Sequence, residues 1–395
     1  MRTKPGKYTK MNIRGIVAVV GLMVTSSGFA EFELITPEEP IESNSSITHT
    51  FWRAGVEPNG KYDLVGLHRY QGRQNDGIVL LYLPGTNMNG ELAVTDEDHN
   101  IWLFLAGRGV KVYSLDYRTH AIPNLDMSDF SFMKGWGIEE FSNDVLLAFD
   151  QVREIEKDAP VFISGFSRGV SYAYILAGQR ETAGLIALDG GFKSYRPTGF
   201  DIGDALKRLD KSGEYVTVLS RTRGWEGRQF LMQQAWQDPE GPAMSSRYES
   251  IGEQLTDTLY NAWGKGGLAN PVDGISSITV LARMMENYDR FYPAIQNVQG
   301  RSLSSQKNDP STTLDDHFGE MKIPILYFGA TNLGGDSLMS GIYSATKSGS
   351  GDVTINVLEN HGHVDVLVGN QVRSLVYEVA LRWMQERSFI EEVEE

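Results

Sequence analysis

The chain has 395 residues, 41% hydrophobic and 22% charged, with 51 acidic against 36 basic side chains and a formal net charge of −15. That is the composition of a globular protein with length for one large or two ordinary domains. The acidic surplus argues against nucleic acid or an anionic membrane as partner, and the lack of cysteine excludes disulfides, thiolate chemistry and cysteine-linked lipid.

The N-terminal segment reads as an export signal. Arg2, Lys4, Lys7, Lys10 and Arg14 precede a short apolar run over 16–24, and small residues follow at Gly28 and Ala30. A basic start, an apolar run too short to cross a bilayer comfortably and a small-residue end predict cleavage after Ala30. Removing residues 1–30 takes away five basic and no acidic side chains, so the mature net charge is about −20. The protein is therefore expected in the periplasm or the medium, without stable membrane insertion. Residues 31–46, rich in Glu, Pro and Ser, read as a flexible lead-in.

Apolar runs then alternate with amphipathic stretches. Strands are predicted over 48–53, 62–68, 77–83, 110–115, 160–164 and 184–188, with helices over 96–107, 138–157 and 169–180 between them. Strand 324–328, helix 338–346, strand 353–358 and helix 371–387 close the chain. Two early strands at hairpin spacing followed by β-α-β units predict an α/β fold, with a mostly parallel central sheet flanked by helices. Residues 192–321 interrupt the pattern. They hold helical stretches at 225–237, 246–263 and 276–292, a polar loop around 302–313, and Trp225, Trp236 and Trp263 among several Met and Phe. The expected organisation is a catalytic domain of 31–191 and 322–395 with an inserted helical cap at 192–321. The aromatic and methionine side chains of the cap are expected to fill its own core.

The motif that carries chemistry is Gly165-Phe166-Ser167-Arg168-Gly169, set between the apolar run 160–164 and the helix that follows. A strand entering a helix through so tight a turn holds the serine in strained geometry with its hydroxyl exposed, and the flanking glycines avoid clashes. Serine needs a base and a pair of donors for the oxyanion. His363, in Asn360-His361-Gly362-His363-Val364-Asp365, lies in the loop between the last strand and the last helix, where it can reach across the strand ends. His361 competes for the role. Asp365 is expected to point away from the His363 ring and to cap the loop or helix.

On these residues the chain resembles the α/β-hydrolases. Tyr82-Leu83-Pro84-Gly85-Thr86 stands where that family has its oxyanion loop, and Ser114 to His120 is similar to the family's Asp-x-Arg-Gly-His turn. Gly165 to Gly169 matches the nucleophile elbow, and Gly362 to Gly369 looks like the His-x-Asp-x-x-x-Gly stretch of lid-bearing lipases. The likeness covers roughly 48–191 and 322–390 and implies backbone N–H donors from Thr86 and Arg168. Pro84, where many members have histidine, leaves that donor intact. For the acid, the position usual in the family holds Asn332, so Asp336 four residues on is preferred, with Asp189 at the end of the preceding strand as the alternative. Asn332 itself, or no acid at all, completes the set.

The remaining polar residues have plainer readings. Asp116 and Arg118 are expected to brace their turn as a salt bridge, and His120 to be a surface histidine or to lie at the pocket mouth. Asp96, Glu97, Asp98 and His99 cap a helix, and His68 and His317 stand alone. The Arg168 side chain pairs with a local carboxylate or contacts an anionic substrate group. No spacing suggests a metal site or a cofactor fold. The chain is thus expected to be an exported serine hydrolase cleaving small, hydrophobic carboxylic esters through an acyl-enzyme. A serine exopeptidase using cap carboxylates such as Glu226, Asp238 or Glu240, and an inactive binding protein on the same fold, are the alternatives.

Overall fold

The structure is a computed structural model and describes residues 31–92, 96–197, 199–258, 275–305 and 309–388. The expected export signal at 1–30 and the acidic run 391–395 lie outside these residues.

Nine strands form one sheet: β1 (Glu33–Ile41), β2 (Asn44–Gly55), β3 (Leu64–Gly72), β4 (Ile78–Leu83), β5 (Val110–Asp116), β6 (Val161–Phe166), β7 (Gly184–Leu188), β8 (Ile325–Ala330) and β9 (Val353–Leu358). Their order is β1-β2-β3-β5-β4-β6-β7-β8-β9. The pairs β1/β2, β2/β3 and β3/β5 are antiparallel, and every pair from β5 to β9 is parallel. The predicted lead-in is therefore largely strand. Its burial pattern is almost wholly exposed, as an edge strand's is, so no apolar alternation announces it.

The central strands are apolar on both faces because helices cover both. Ile78, Leu80 and Tyr82 of β4, with Phe162, Ile186, Leu326 and Phe328, face a layer that includes α1 (Ile101–Ala106) and α11 (Glu378–Ser388). Val79, Leu81, Ile163, Leu185, Ala187 and Ile325 face the other layer, where α2 (Ile138–Glu156), α3 (Arg168–Gln179) and α9 (Gly335–Lys347) pack. Each such fully buried aliphatic or aromatic side chain contributes about 1.5–3 kcal/mol. Helix ends are satisfied locally: Asn100 accepts from the N–H groups of Trp102 and Leu103 at the start of α1.

Between β7 and β8 the chain forms α4 (Ile202–Ser212), α5 (Thr222–Gln237), α6 (Ile251–Thr258), α7 (Ile278–Glu286) and α8 (Ala294–Ser305). Trp225, Met232, Met284 and Met285 are buried in the same core that covers one face of the sheet, and Phe291 in the other. Trp236 and Met244 are exposed, and Trp263 lies outside the described residues. The stretch expected to be a polar loop begins with the last turn of α8. Gln299 of that helix accepts from the Ile138 N–H at 2.7 Å, capping α2 from outside. α10 (Asp365–Val368) lies just before the C-terminal helical segment. No described helix is long and apolar enough to cross a membrane.

Candidate active site

The C-terminal ends of the parallel strands lie side by side, with Leu83 opposite Gly165, Phe166 opposite Leu188, Leu188 opposite Phe328 and Ala330 opposite Leu358. Whatever follows each strand therefore meets the others at one edge of the sheet. After β6 comes Ser167, with φ 54° and ψ −118°, a conformation costing on the order of 1–3 kcal/mol for a residue with a side chain. The surroundings impose it: Ser167 N–H donates to the Leu188 carbonyl at 3.1 Å, and the Val170 N–H donates to the Ser167 carbonyl at 3.1 Å. Both flanking glycines are sterically required. A Cβ on Gly169 would lie 1.9 Å from the Leu83 carbonyl oxygen, and one on Gly165 would lie 2.4 Å from the Gly169 backbone.

After β7 comes Asp189, also at positive φ (43°), its N–H bonded to the Phe328 carbonyl at 2.7 Å. One carboxylate oxygen accepts the Ala330 N–H at 2.8 Å; the other lies 2.6 Å from Nδ1 of His363. The His363 ring is buried and stacks on Phe166 with centroids 4.6 Å apart. A carboxylate bonded to Nδ1 holds the ring in the tautomer whose Nε2 can accept a proton. The structure thus pairs His363 with Asp189. Asp336, the residue preferred from sequence, sits instead in the first turn of α9, 81% exposed and 3.7 Å from Arg196. The Gly334-Gly335 lengthening starts that helix rather than folding back toward the histidine. Asn332 is buried, but it is tied to the histidine loop by its backbone N–H, which donates to the His361 carbonyl at 3.0 Å. His361 turns its own Nδ1 to the Glu359 carbonyl at 2.8 Å.

Ser167, Asp189 and His363 line one cleft of about 600 Å³. Thr86 and Arg168 line it too, and the 84–86 turn lies against the serine: a Cβ on Gly85 would be 3.2 Å from the Ser167 Cβ. Thr86 follows β4 and Arg168 opens α3, whose N-terminal N–H groups favour negative charge nearby. The cleft is not the apolar chamber expected from sequence. Among its described lining residues only Phe192 and Leu333 are large and apolar; the others include Ser171, Ser194, Asn297, Ser304, Ser337 and Ser340. The tryptophans and methionines of the 192–321 segment that are described do not line it.

No family model matches the chain, and no curated protein does. Solved structures do. A candidate lipase from Sulfolobus solfataricus superimposes with a TM-score of 0.71 at 22% identity, over 90% of this chain and 99% of that one. A thermostable carboxyl esterase from Bacillus coagulans, in complex with glycerol, gives 0.50 at 15% identity over 86% and 98%. The chain has the α/β-hydrolase fold.

Within the α/β-hydrolase fold several polar residues take places that sequence reading did not assign. Arg118 does not pair with Asp116. It is buried and bonds Asp63 at 2.6 Å and, through two nitrogens, Asp144 at 2.6 and 2.8 Å. Asp116 instead accepts from the Gly90 N–H at 2.6 Å and lies 2.8 Å from His68 Nε2, while His68 Nδ1 meets His49 at 2.8 Å. Asp116 is held down at about 2: burial works against ionisation, but the charge and hydrogen bond of His68 outweigh it. Burial and the neighbouring His68 charge pull His49 down to about 4.

His120 is only partly exposed and does not line the Ser167 cleft. Its Nδ1 lies 2.8 Å from Asp289, and Glu91 and Asp116 face its other nitrogen at 3.7 and 3.8 Å. Burial lowers its pKa, but the hydrogen bonds to Asp289 and Glu91 and the charge of Asp116 drive it up to about 11. The same Asp289 accepts from Asn89 at 3.0 Å, and its backbone N–H donates to the Asn87 carbonyl at 2.7 Å. This network pins the loop after β4, which carries Thr86, to the segment between α7 and α8. The run Asn87-Met88-Asn89 next to that loop was the available signal. Asp96 accepts from the Asp98 N–H at 2.9 Å, the capping geometry expected of 96–99, and among the described residues no cluster could hold a metal ion.

Proposed function

We propose that this protein is an exported serine hydrolase that cleaves carboxylic esters through an acyl-enzyme. The observation that carries the reading is the His363–Asp189 pair at 2.6 Å on the same cleft as a serine held in elbow geometry. The names of the neighbouring structures, a candidate lipase and a carboxyl esterase, point the same way. Export rests on the sequence of residues 1–30.

In this reading the Ser167 Oγ attacks the ester carbonyl while His363 Nε2 takes its proton. Asp189 keeps the proton on Nδ1 and stabilises the imidazolium. The carbonyl oxygen, now an oxyanion, receives the N–H groups of Thr86 and Arg168. His363 returns the proton to the departing alkoxide, the alcohol leaves, and an acyl-serine remains. Water, deprotonated by the same histidine, then attacks the acyl carbonyl, and its proton returns to Ser167 as the carboxylic acid departs. The segment 192–321 serves as the cap over this edge of the sheet, tied to it through Asp289 and α8.

The exopeptidase alternative has less support. Glu226 lines a separate groove beside Phe230 and Trp236, and Asp238 and Glu240 are exposed; none belongs to the Ser167 cleft. The test is exposure of the mature protein to a fluorophosphonate with peptide mapping, together with turnover of short-chain aryl esters. A single adduct on Ser167, and ester turnover abolished in Ser167→Ala, are expected. No adduct on Ser167 under conditions that label a control hydrolase would overturn the mechanism, and cleavage of aminoacyl anilides but not esters would overturn the substrate class.

A further inference from the structure

The acyl-transfer steps use only the backbone of Arg168, yet its guanidinium lies against Gly300, a residue of the same cleft, and Arg301 on α8 lines that cleft too. The other cationic groups nearby are neutralised. Lys193 Nζ is buried against the Asp315 carboxylate and the Leu303 carbonyl, and Arg196 stands beside Asp336 at the rim. Arg168 and Arg301 differ: among the described residues no carboxylate forms an ion pair with either; the Arg168 guanidinium meets the Tyr292 hydroxyl, and Arg301 lies over the Phe200 ring at 4.8 Å. The two carboxylates of the cleft do not serve them. Asp189 is committed to His363 and the Ala330 N–H, and Asp336 is exposed at the edge.

The wall is shaped around the Arg168 guanidinium. A Cβ on Gly300 would stand 2.1 Å from its Nη1 and 2.7 Å from its Cζ, so that only glycine leaves room for the group where it lies. On the same cleft the Asn297 amide offers hydrogen bonds without charge, whereas the Ser171 and Ser304 hydroxyls already donate to the Gly191 and Arg301 carbonyls. A half-buried guanidinium with no protein counter-ion, one residue from the nucleophile, is arranged to pair with an anion delivered by the substrate.

We infer that the cleft recognises an anionic group, a carboxylate or a phosphate, carried by the ester a few bonds from its scissile carbonyl. The inference rests on the hydrolase reading for its location, but the anion site itself can be tested without turnover. Arg168 anchors the charge, Arg301 supplies a second cation, and the Asn297 amide offers a neutral donor beside them.

The experiment compares three esters: monomethyl glutarate, its neutral branched-alkyl isostere, and the analogue with phosphate in place of the free carboxylate. The wild type should favour at least one anionic ester over the neutral one by about tenfold in kcat/KM, chiefly through KM. Which anion is favoured identifies the group. Arg168→Met and Arg301→Met should each shrink that ratio, and the double variant should bring it close to unity. Should Arg168→Met fail to fold, Arg301→Met carries the comparison. Calorimetry with glutarate and with inorganic phosphate follows binding alone. Equal or faster cleavage of the neutral ester, or a ratio unmoved in the double variant, would overturn the anion site while leaving the hydrolase standing. Arginine-dependent binding of glutarate or phosphate, with no ester cleaved and no fluorophosphonate adduct on Ser167, would overturn the hydrolase and leave the anion site.

Discussion

Two regions of this molecule hold nearly the same chemical pair in different settings. At the cleft, Asp189 and His363 lie 2.6 Å apart; behind the loop after β4, Asp116 and His68 lie 2.8 Å apart and His120 and Asp289 likewise. The second region has more histidines and carboxylates than the first. Yet Asp116 is buried, His68 stacks with Phe51 and His49, and the cavity of about 280 Å³ that His49 and His68 line is separate from the cleft of Ser167. A histidine–carboxylate pair becomes a catalytic device only when a nucleophile and an open cleft share its edge. Without those it is a brace, and a perturbed pKa by itself does not tell the two apart.

The largest effect that would sharpen this comparison is on turnover. Ser167→Ala should lower kcat for ester hydrolysis by about 10⁴-fold or more, with the thermal midpoint little changed because alanine carries the same backbone strain. Asp189→Asn should cost about 10³–10⁴-fold, whereas Asp336→Asn should stay within about threefold in kcat. A reversal between these two aspartates would break the geometric assignment.

The buried region should answer in stability instead. Asp116→Asn leaves His68 and the Gly90 N–H facing an amide in a buried site, and should cost about 3 kcal/mol in denaturant unfolding. The folded fraction should keep its kcat within a few-fold. A loss of activity as deep as that of Asp189→Asn, with stability intact, would show that the two regions are not distinct in role.

The smallest effect is a pH dependence. His120 has its pKa raised in the folded state to about 11. Protons are then bound more tightly by the folded chain, so this stabilisation is complete below the ordinary histidine pKa of about 6.5 and is lost as pH rises toward 11. Thermal midpoints of the wild type should fall across that window, and those of His120→Gln should start lower and fall less. Parallel curves would remove His120 from the brace.

How far the sequence could be read follows from how strongly each element is forced. The elbow was legible because two glycines, an apolar run and a helix all constrain the same five residues, and Gly169 admits no side chain at all. The central strands were legible because burial on both faces leaves only apolar residues. β1 was not, since an edge strand carrying Glu, Pro and Thr has no buried face to impose alternation. α8 was half hidden: its buried residues include Gln296, Ser302 and Ser305, which hydrophobicity does not mark. The carboxylate beside His363 is hard to read for a different reason. Sequence spacing favoured a residue after β8, but what selects the carboxylate is the backbone turn at Asp189, where Gly190 lets the chain pass the Ser167 carbonyl; a Cβ there would come within 2.4 Å of it. That signal, Leu188-Asp189-Gly190-Gly191, is visible in the sequence.

One contact bears on how such a protein could be re-engineered. Asp365, fully buried two residues after His363, accepts from the Gly362 N–H at 2.6 Å and from the Ser276 hydroxyl at 2.5 Å, and the neighbouring Asn370 N–H donates to the Ile275 carbonyl at 2.7 Å. Burial pushes the Asp365 carboxyl up to about 7, so its second hydrogen bond has much to offset. Ser276 belongs to the inserted segment, and Gly362 to the loop that presents the histidine. The segment between β7 and β8 is therefore not freely exchangeable: a chimera carrying a foreign one would leave Asp365 half-solvated at the root of the His363 loop, and transplants should carry residues 275 and 276 with the host rather than with the guest.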